Sequence, residues 1–316
     1  MIVTQQQLER RIEQVRSRVK DPRHGLFGPD SMTWRLARES VVFLGAGRAA
    51  LLQLAHPFVA HAVEQHSATR ADPIGRFNRT FLHVYGMMFG DLESAITAAR
   101  RVRGVHDHIH GPVDEDVGRY QRGDRYTAHD EPALLWVFAT LTETTVMAYE
   151  LGIGRLSPVE KEAYYQETRL FASLFGISDE ALPPDWPAFK RYCEEACAGD
   201  MLAVGRPARE MARFLLTETR GLARPVMRVY AALTAGLLPP RIREGYGLPF
   251  GRVEEAACRG ALRVVATAWP LLPGRMRWIP DYVEALRRIE GRPRPDRLGR
   301  AVQQSILSAI KPREAT

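Results

Sequence analysis

Prolines set the folding problem for this chain. Seven of them stand at or near the start of a helical pattern: His56-Pro57, Asp72-Pro73, Gly111-Pro112, Glu131-Pro132, Ser157-Pro158, Trp186-Pro187 and Arg206-Pro207. A proline is tolerated in the first turn of a helix, where its missing N–H has no partner to lose, and breaks a helix interior. Each pair therefore marks where one helix ends and the next begins. Between these marks apolar residues recur at helical spacing, and strand-like alternation is almost absent. The spacing predicts helices near 4–20, 31–43, 46–55, 58–68, 73–89, 91–110, 131–150, 158–175, 187–204, 207–217, 224–236, 250–268, 275–289 and 295–310. Asp91 and Asp179 stand where N-caps are expected. The fold class is all-α.

The polar segment 111–130 is the longest connection and could divide the chain. The roughly 110 residues before it would hold few core helices alone, so a single multi-helix domain over residues 1–316 is expected. Composition agrees with a packed core: of 316 residues 45% are hydrophobic and 26% charged, which excludes disorder as the main state. Lysine is nearly absent, at Lys20, Lys161, Lys190 and Lys311, against 40 arginines. The net charge is +7, but acids and bases mostly interleave, so no nucleic-acid footprint is expected. The basic stretch Arg287–Arg300 reads as solvated surface.

The first twenty residues are polar and lack the apolar run of a signal peptide. The most apolar stretch, Val41 to Val63, is interrupted by Arg48, His56, Pro57 and His61, so no transmembrane anchor is expected. Three cysteines make no disulfide framework and fit a reducing compartment. The expectation is a cytoplasmic protein, with Cys193 and Cys197 as buried thiols. Gly45-Ala-Gly47-Arg-Ala-Ala50 imitates a dinucleotide fingerprint, but no second βα unit follows. The glycines are better explained by close helix packing.

Histidine is the residue whose placement carries chemistry. Seven of nine fall between His56 and His110. In the helical pattern 73–89, Arg76, Thr80, His83 and Met87 form a stripe beside an apolar face of Phe77, Phe81, Val84, Tyr85 and Met88. In the pattern 91–110, His106 lies within the apolar stripe of Ala95, Ala99 and Val102, with Arg103 three residues before it. A hydrogen-bonded core histidine and a metal ligand are both open from position alone.

Two metal readings compete. His106 could be the axial ligand of a b-type haem, with Arg103 near a propionate and small Ala95 and Ala99 leaving room. Alternatively His106 and His110 could chelate zinc or non-haem iron at i,i+4, as in a metal-dependent hydrolase. Covalent haem is excluded, because there is no C-x-x-C-H.

The order of several motifs resembles a family of oxygenases that includes the bacterial latex-clearing (rubber) oxygenases and the MpaB-type oxygenase. They are Leu52-Gln53-Leu54-Ala55-His56-Pro57, Glu64-Gln65-His66-Ser67, Asp72-Pro73-x-x-Arg76-x-x-x-Thr80, Phe89-Gly90, Arg103-x-x-His106-x-x-Ile109-x-Gly111, Tyr126-x-x-x-Asp130-x-x-Ala133 and Tyr246-Gly247-Leu248-Pro249. The resemblance covers about residues 40–250 and leaves 251–316 as a helical extension.

It implies a globin-like helical core around a buried haem b. His106 matches the proximal iron ligand, Arg103 an arginine near the propionates, and Arg76 and Thr80 a pair in the haem pocket. Arg79 stands where rubber oxygenases can place a lysine at the distal iron site. Glu64 is the nearest acid by order to a distal glutamate base, with His66 as the alternative proton-handling group. The implied partners are O2 and a lipophilic, alkene-bearing small molecule such as an isoprenoid. Phe77, Phe81, Met87 and Met88 are the expected substrate-cavity lining, with a plain apolar core as the competing explanation. A non-catalytic haem carrier or gas sensor keeps His106 and Arg103 and is the alternative from a different functional class.

Overall fold

The computed structural model describes residues 1–67, 73–217 and 224–310, leaving aside the side chains of 73–79, 217 and 306–310. In chain order the helices are α1 (Gln5–Arg18), α2 (Met32–Ala37), α3 (Ala46–Leu54), α4 (Pro57–His66), α5 (Pro73–Phe89) and α6 (Leu92–His106). A two-stranded hairpin, β1 (His110–Pro112) and β2 (Arg125–Thr127), follows. Then come α7 (Glu131–Gly152), α8 (Pro158–Ser173), α9 (Trp186–Ala198), α10 (Arg206–Thr217), α11 (Arg224–Leu237), α12 (Pro240–Gly245), α13 (Arg252–Ala268), α14 (Gly274–Arg277), α15 (Pro280–Ile289) and α16 (Arg297–Ile310). The all-α expectation holds.

Six of the seven proline marks open a helix. Pro112 is the exception, since it lies in β1 and pairs with Arg125 across the hairpin. Asp91 caps α6 by accepting the Ser94 N–H at 2.8 Å. Asp179 caps no helix; its carboxylate faces Arg18 and Arg169 instead. The segment expected as one helix over 275–289 is broken, because Ile279 is extended ahead of Pro280.

The core is built around α7. Its apolar residues run almost all round the helix, with Leu134, Leu135, Trp136, Phe138 and Ala139 buried, as a helix surrounded by others requires. Buried polar ends find backbone partners: Trp136 Nε1 donates to Leu52 O at 2.8 Å, Trp34 Nε1 to Met88 O at 2.8 Å, and the Tyr246 hydroxyl to Leu51 O at 2.6 Å.

Close packing also accounts for the two glycines of the fingerprint look-alike. A Cβ on Gly45 would lie 2.2 Å from Thr144 Cγ2 on α7, and one on Gly47 2.3 Å from Thr234 Oγ1 on α11. Met87 and Met88, expected at a substrate cavity, are buried in the same core, while Phe81 meets Phe43 edge to face with ring centroids 5.1 Å apart.

Two features place the site. Helices α5 and α6 pack as a pair, and α6 ends at His106. Residues 1–3 then strap the end of α6 to the start of α7: Val3 N donates to His129 O at 2.9 Å and Glu131 N to Met1 O at 2.9 Å.

Candidate functional site around the end of helix α6

His106 is the last residue of α6, with Asp107 as the C-cap. It is half-buried, and its imidazole makes no hydrogen bond among the described residues. Burial, reinforced by neighbouring His129 and Arg103, pushes its pKa down to about 4. The imidazole is therefore neutral at pH 7 and keeps one ring nitrogen lone pair available, as a metal ligand must.

Its surroundings are held firmly. The Arg103 guanidinium donates from Nη1 to Val3 O at 2.7 Å, and its Nε lies 3.2 Å from Asp107 Oδ1. His129 places Nε2 2.8 Å from the same carboxylate oxygen, with its ring 5.9 Å from that of His106. The hydrogen bond from His129 holds Asp107 below the usual carboxylate range, and burial lowers His129 as well. His129 is thus a neutral donor to an ionised carboxylate. Beside His106 lies a cavity of about 10 Å³, walled by Leu8, Ala99, Val102, Arg103, His129, Leu174 and Phe175.

The chemistry of this donor set fits one axial ligand of a haem: a neutral imidazole without a protein partner, a cation one turn away and apolar walls. The cavity by itself takes about one water. A macrocycle needs far more room than this cavity gives.

The other expected site residues fall elsewhere. The side chains of Arg76, Arg79 and Phe77 lie outside the described residues, and Thr80 is exposed on α5. His110 is not on α6 but on β1, so the helical spacing behind a His106/His110 chelate is absent. The helix stops early because Asp107 caps it and Gly111-Pro112 enters the hairpin. His66 is exposed at the end of α4, with Nε2 3.0 Å from His110 O.

Glu64 belongs to a second, charged cluster. Arg206, the first residue of α10, bonds both Glu64 oxygens (2.8 and 3.3 Å) and Asp114 Oδ2 (2.5 Å), while its backbone N–H donates to Glu115 at 2.7 Å. Fully buried His61 lies between Pro57 O (2.9 Å from Nδ1) and Asp114 Oδ1 (2.8 Å from Nε2). These bonds hold Asp114 low and Arg206 high in pKa, although burial of Asp114 opposes its shift. Ligand atoms of His61, Asp114 and Glu115 lie within 4.8 Å of one another, and the Arg206 guanidinium supplies the positive charge a cation would.

Gly111 lets the hairpin press on α4, since a Cβ there would lie 2.6 Å from Gln65 Oε1. His56, beside Phe58 and Tyr120, is buried with Nδ1 unpartnered and a pKa pushed by burial to about 4.

Sequence reasoning did not single out His129, Asp107 or Arg206 as site-forming. His129 was detectable, standing inside the Tyr126–Asp130 motif. The link from Arg206 to Glu64 spans 142 residues and leaves no local signal.

A half-buried neutral imidazole at a helix end, beside an arginine, has the donor chemistry of a metal ligand. A sequence model of the family described as "ER-bound oxygenase mpaB/B'/Rubber oxygenase, catalytic domain" matches residues 13–267. The chain belongs to this oxygenase family. Neither a curated protein nor a solved structure matches it. Among the described residues no single helix is long and apolar enough to cross a membrane.

Proposed function

We propose that the chain is a haem-dependent oxygenase that uses O2 on a lipophilic, alkene-bearing small molecule of isoprenoid type, with His106 as the proximal ligand of a haem b. One observation carries the reading: within a member of an oxygenase family, His106 is a neutral imidazole with no hydrogen-bond partner among the described residues. A bound haem supplies the one-electron and O2 chemistry that side chains lack.

The chain's own residues have definable tasks. Asp107 fixes both His129 and Arg103, so the positions of these two neighbours of His106 are set by one carboxylate. Arg103 stands one turn from His106 beside apolar walls, and its guanidinium would have to share its contacts with Asp107 and Val3 O to meet an anionic propionate. Through the resemblance, Arg76 and Thr80 are assigned to the haem pocket and Arg79 to the position where rubber oxygenases can place a distal lysine. Glu64 or His66 is assigned to handle a proton. Glu64 must loosen its bonds to Arg206 to do so, and His66 its bond to His110 O.

The test is the absorption spectrum of the purified protein. The reading expects a Soret band in the wild type, lost in His106→Ala, and O2 uptake with polyene substrates by the wild type alone. A colourless protein that takes up no haem on titration contradicts it.

A further inference from the structure

The net charge of this chain is concentrated in one region. Residues 224–310 hold 15 arginines and 7 carboxylates, a net +8, against +7 for the whole sequence. Elsewhere arginines commonly meet acids, as Arg16 meets Glu93, Arg100 meets Glu9 and Arg206 meets Glu64 and Asp114. Arg224, Arg228, Arg263 and Arg275 differ. All four are exposed, and none forms an ion pair with a carboxylate among the described residues.

These four lie toward one end of the α11/α13 pair. Gly236 near the end of α11 faces Cys258 and Phe250 near the start of α13, so the two helices run antiparallel. The start of α11 therefore lies beside the end of α13. The same end exposes Val226, Val229, Val264, Leu271 and Met276, each between 42% and 80% accessible. The stretch 261–280 carries no acid at all.

We propose that this end of the molecule, formed by the start of α11, the end of α13 and α14, docks on the surface of an anionic lipid bilayer. Large aliphatic side chains facing water beside arginines that pair with no carboxylate among the described residues need a partner that is apolar and anionic together. A bilayer presents both: arginines meet headgroup phosphates while valine, leucine and methionine enter the acyl boundary. A second copy of the chain would set four arginines against their own symmetry mates, which opposes self-association. An acidic protein surface would meet the arginines but leave the aliphatics against carboxylates.

The test is co-sedimentation of the full chain with phosphatidylcholine vesicles, with and without about one-third phosphatidylglycerol. Binding is expected only to the anionic vesicles and is expected to weaken with added salt. Each arginine replaced by alanine costs about fivefold in vesicle affinity, and all four together more than about 100-fold. Leu271→Ser and Val264→Ser weaken binding at unchanged charge.

Circular dichroism and unfolding temperature confirm that the variants fold, and because all substituted residues are exposed, little change is expected there. Equal binding to neutral vesicles, no binding to either, or unchanged binding by the four-arginine variant overturns the proposal. So does a concentration-dependent dimer that the four substitutions abolish, or capture by an acidic polypeptide that competes the vesicles off.

Discussion

His106 and His61 look alike in sequence, each a histidine on the apolar side of a helix, and the structure gives them opposite environments. His61 is enclosed by groups that use both ring nitrogens, Pro57 O and Asp114, in a cluster completed by Glu64, Glu115 and Arg206. The His106 imidazole sits among apolar walls with no hydrogen-bond partner among the described residues, while Asp107 pairs with both Arg103 and His129 beside it. The first arrangement uses histidine to hold three segments of chain together. The second spends neighbours on keeping an imidazole neutral and unengaged. A binding role belongs to the second, because polar groups already paired must give up those bonds before they can serve a ligand.

The contrast can be broken most directly at His61. Replacing it with alanine empties a fully buried site and leaves Asp114 and Pro57 O without their partner, so unfolding free energy is expected to fall by about 2–4 kcal/mol. Denaturant unfolding measures this, and any haem uptake by the folded fraction is expected to stay intact. A loss of haem uptake without loss of stability would reverse the roles assigned to the two histidines.

Arg206→Ala is expected to cost less, about 1–2 kcal/mol, since its partners are partly exposed and solvent screens the unpaired carboxylates. High salt should narrow the difference from wild type.

Acid separates the two regions by pH window. His106 and His56 have pKa values near 4 in the folded chain, below the ordinary histidine value of 6.5, so the unfolded chain binds more protons. Their contribution to stability is complete above pH 6.5 and is lost as pH falls toward 4. The slope is at most about 1.4 kcal/mol per pH unit for each histidine. Asp114 is held below its ordinary value of 3.8, so its contribution is present above that value and disappears only at lower pH. Urea midpoints across pH 3–7 are expected to show the histidine phase first, and His106→Ala should reduce that phase while leaving the lower one. The smallest effect on apoprotein stability, under about 1 kcal/mol, is expected from His106→Ala itself, because no hydrogen bond is lost.

Much of this arrangement could be read in the sequence, and for identifiable reasons. Proline marks and apolar spacing located the helices because both act over a few residues, and the stripe through Ala95, Ala99 and Val102 correctly placed His106 on the inner side of α6. The hairpin was invisible, since two strands of three residues give no alternation to detect, and with it went the true end of α6 and the position of His110. Six-residue α12 escaped for the same reason of length. The partners that decide what each histidine can do come from far along the chain: Leu8 and Phe175 beside His106, and Arg206 over Glu64. Long-range packing of that kind leaves no periodicity. The motif order pointed to the oxygenase family, whose matched region, 13–267, extends beyond the stretch where the motifs were visible.

In the proposed function His106, and not the charged cluster around His61, holds the cofactor. Haem titration of the apoprotein followed by its Soret absorption, for wild type, His106→Ala and His61→Ala under conditions where all three are folded, tests it in one experiment. The account predicts a saturable band for wild type and His61→Ala and none for His106→Ala. An unchanged band in His106→Ala would contradict it.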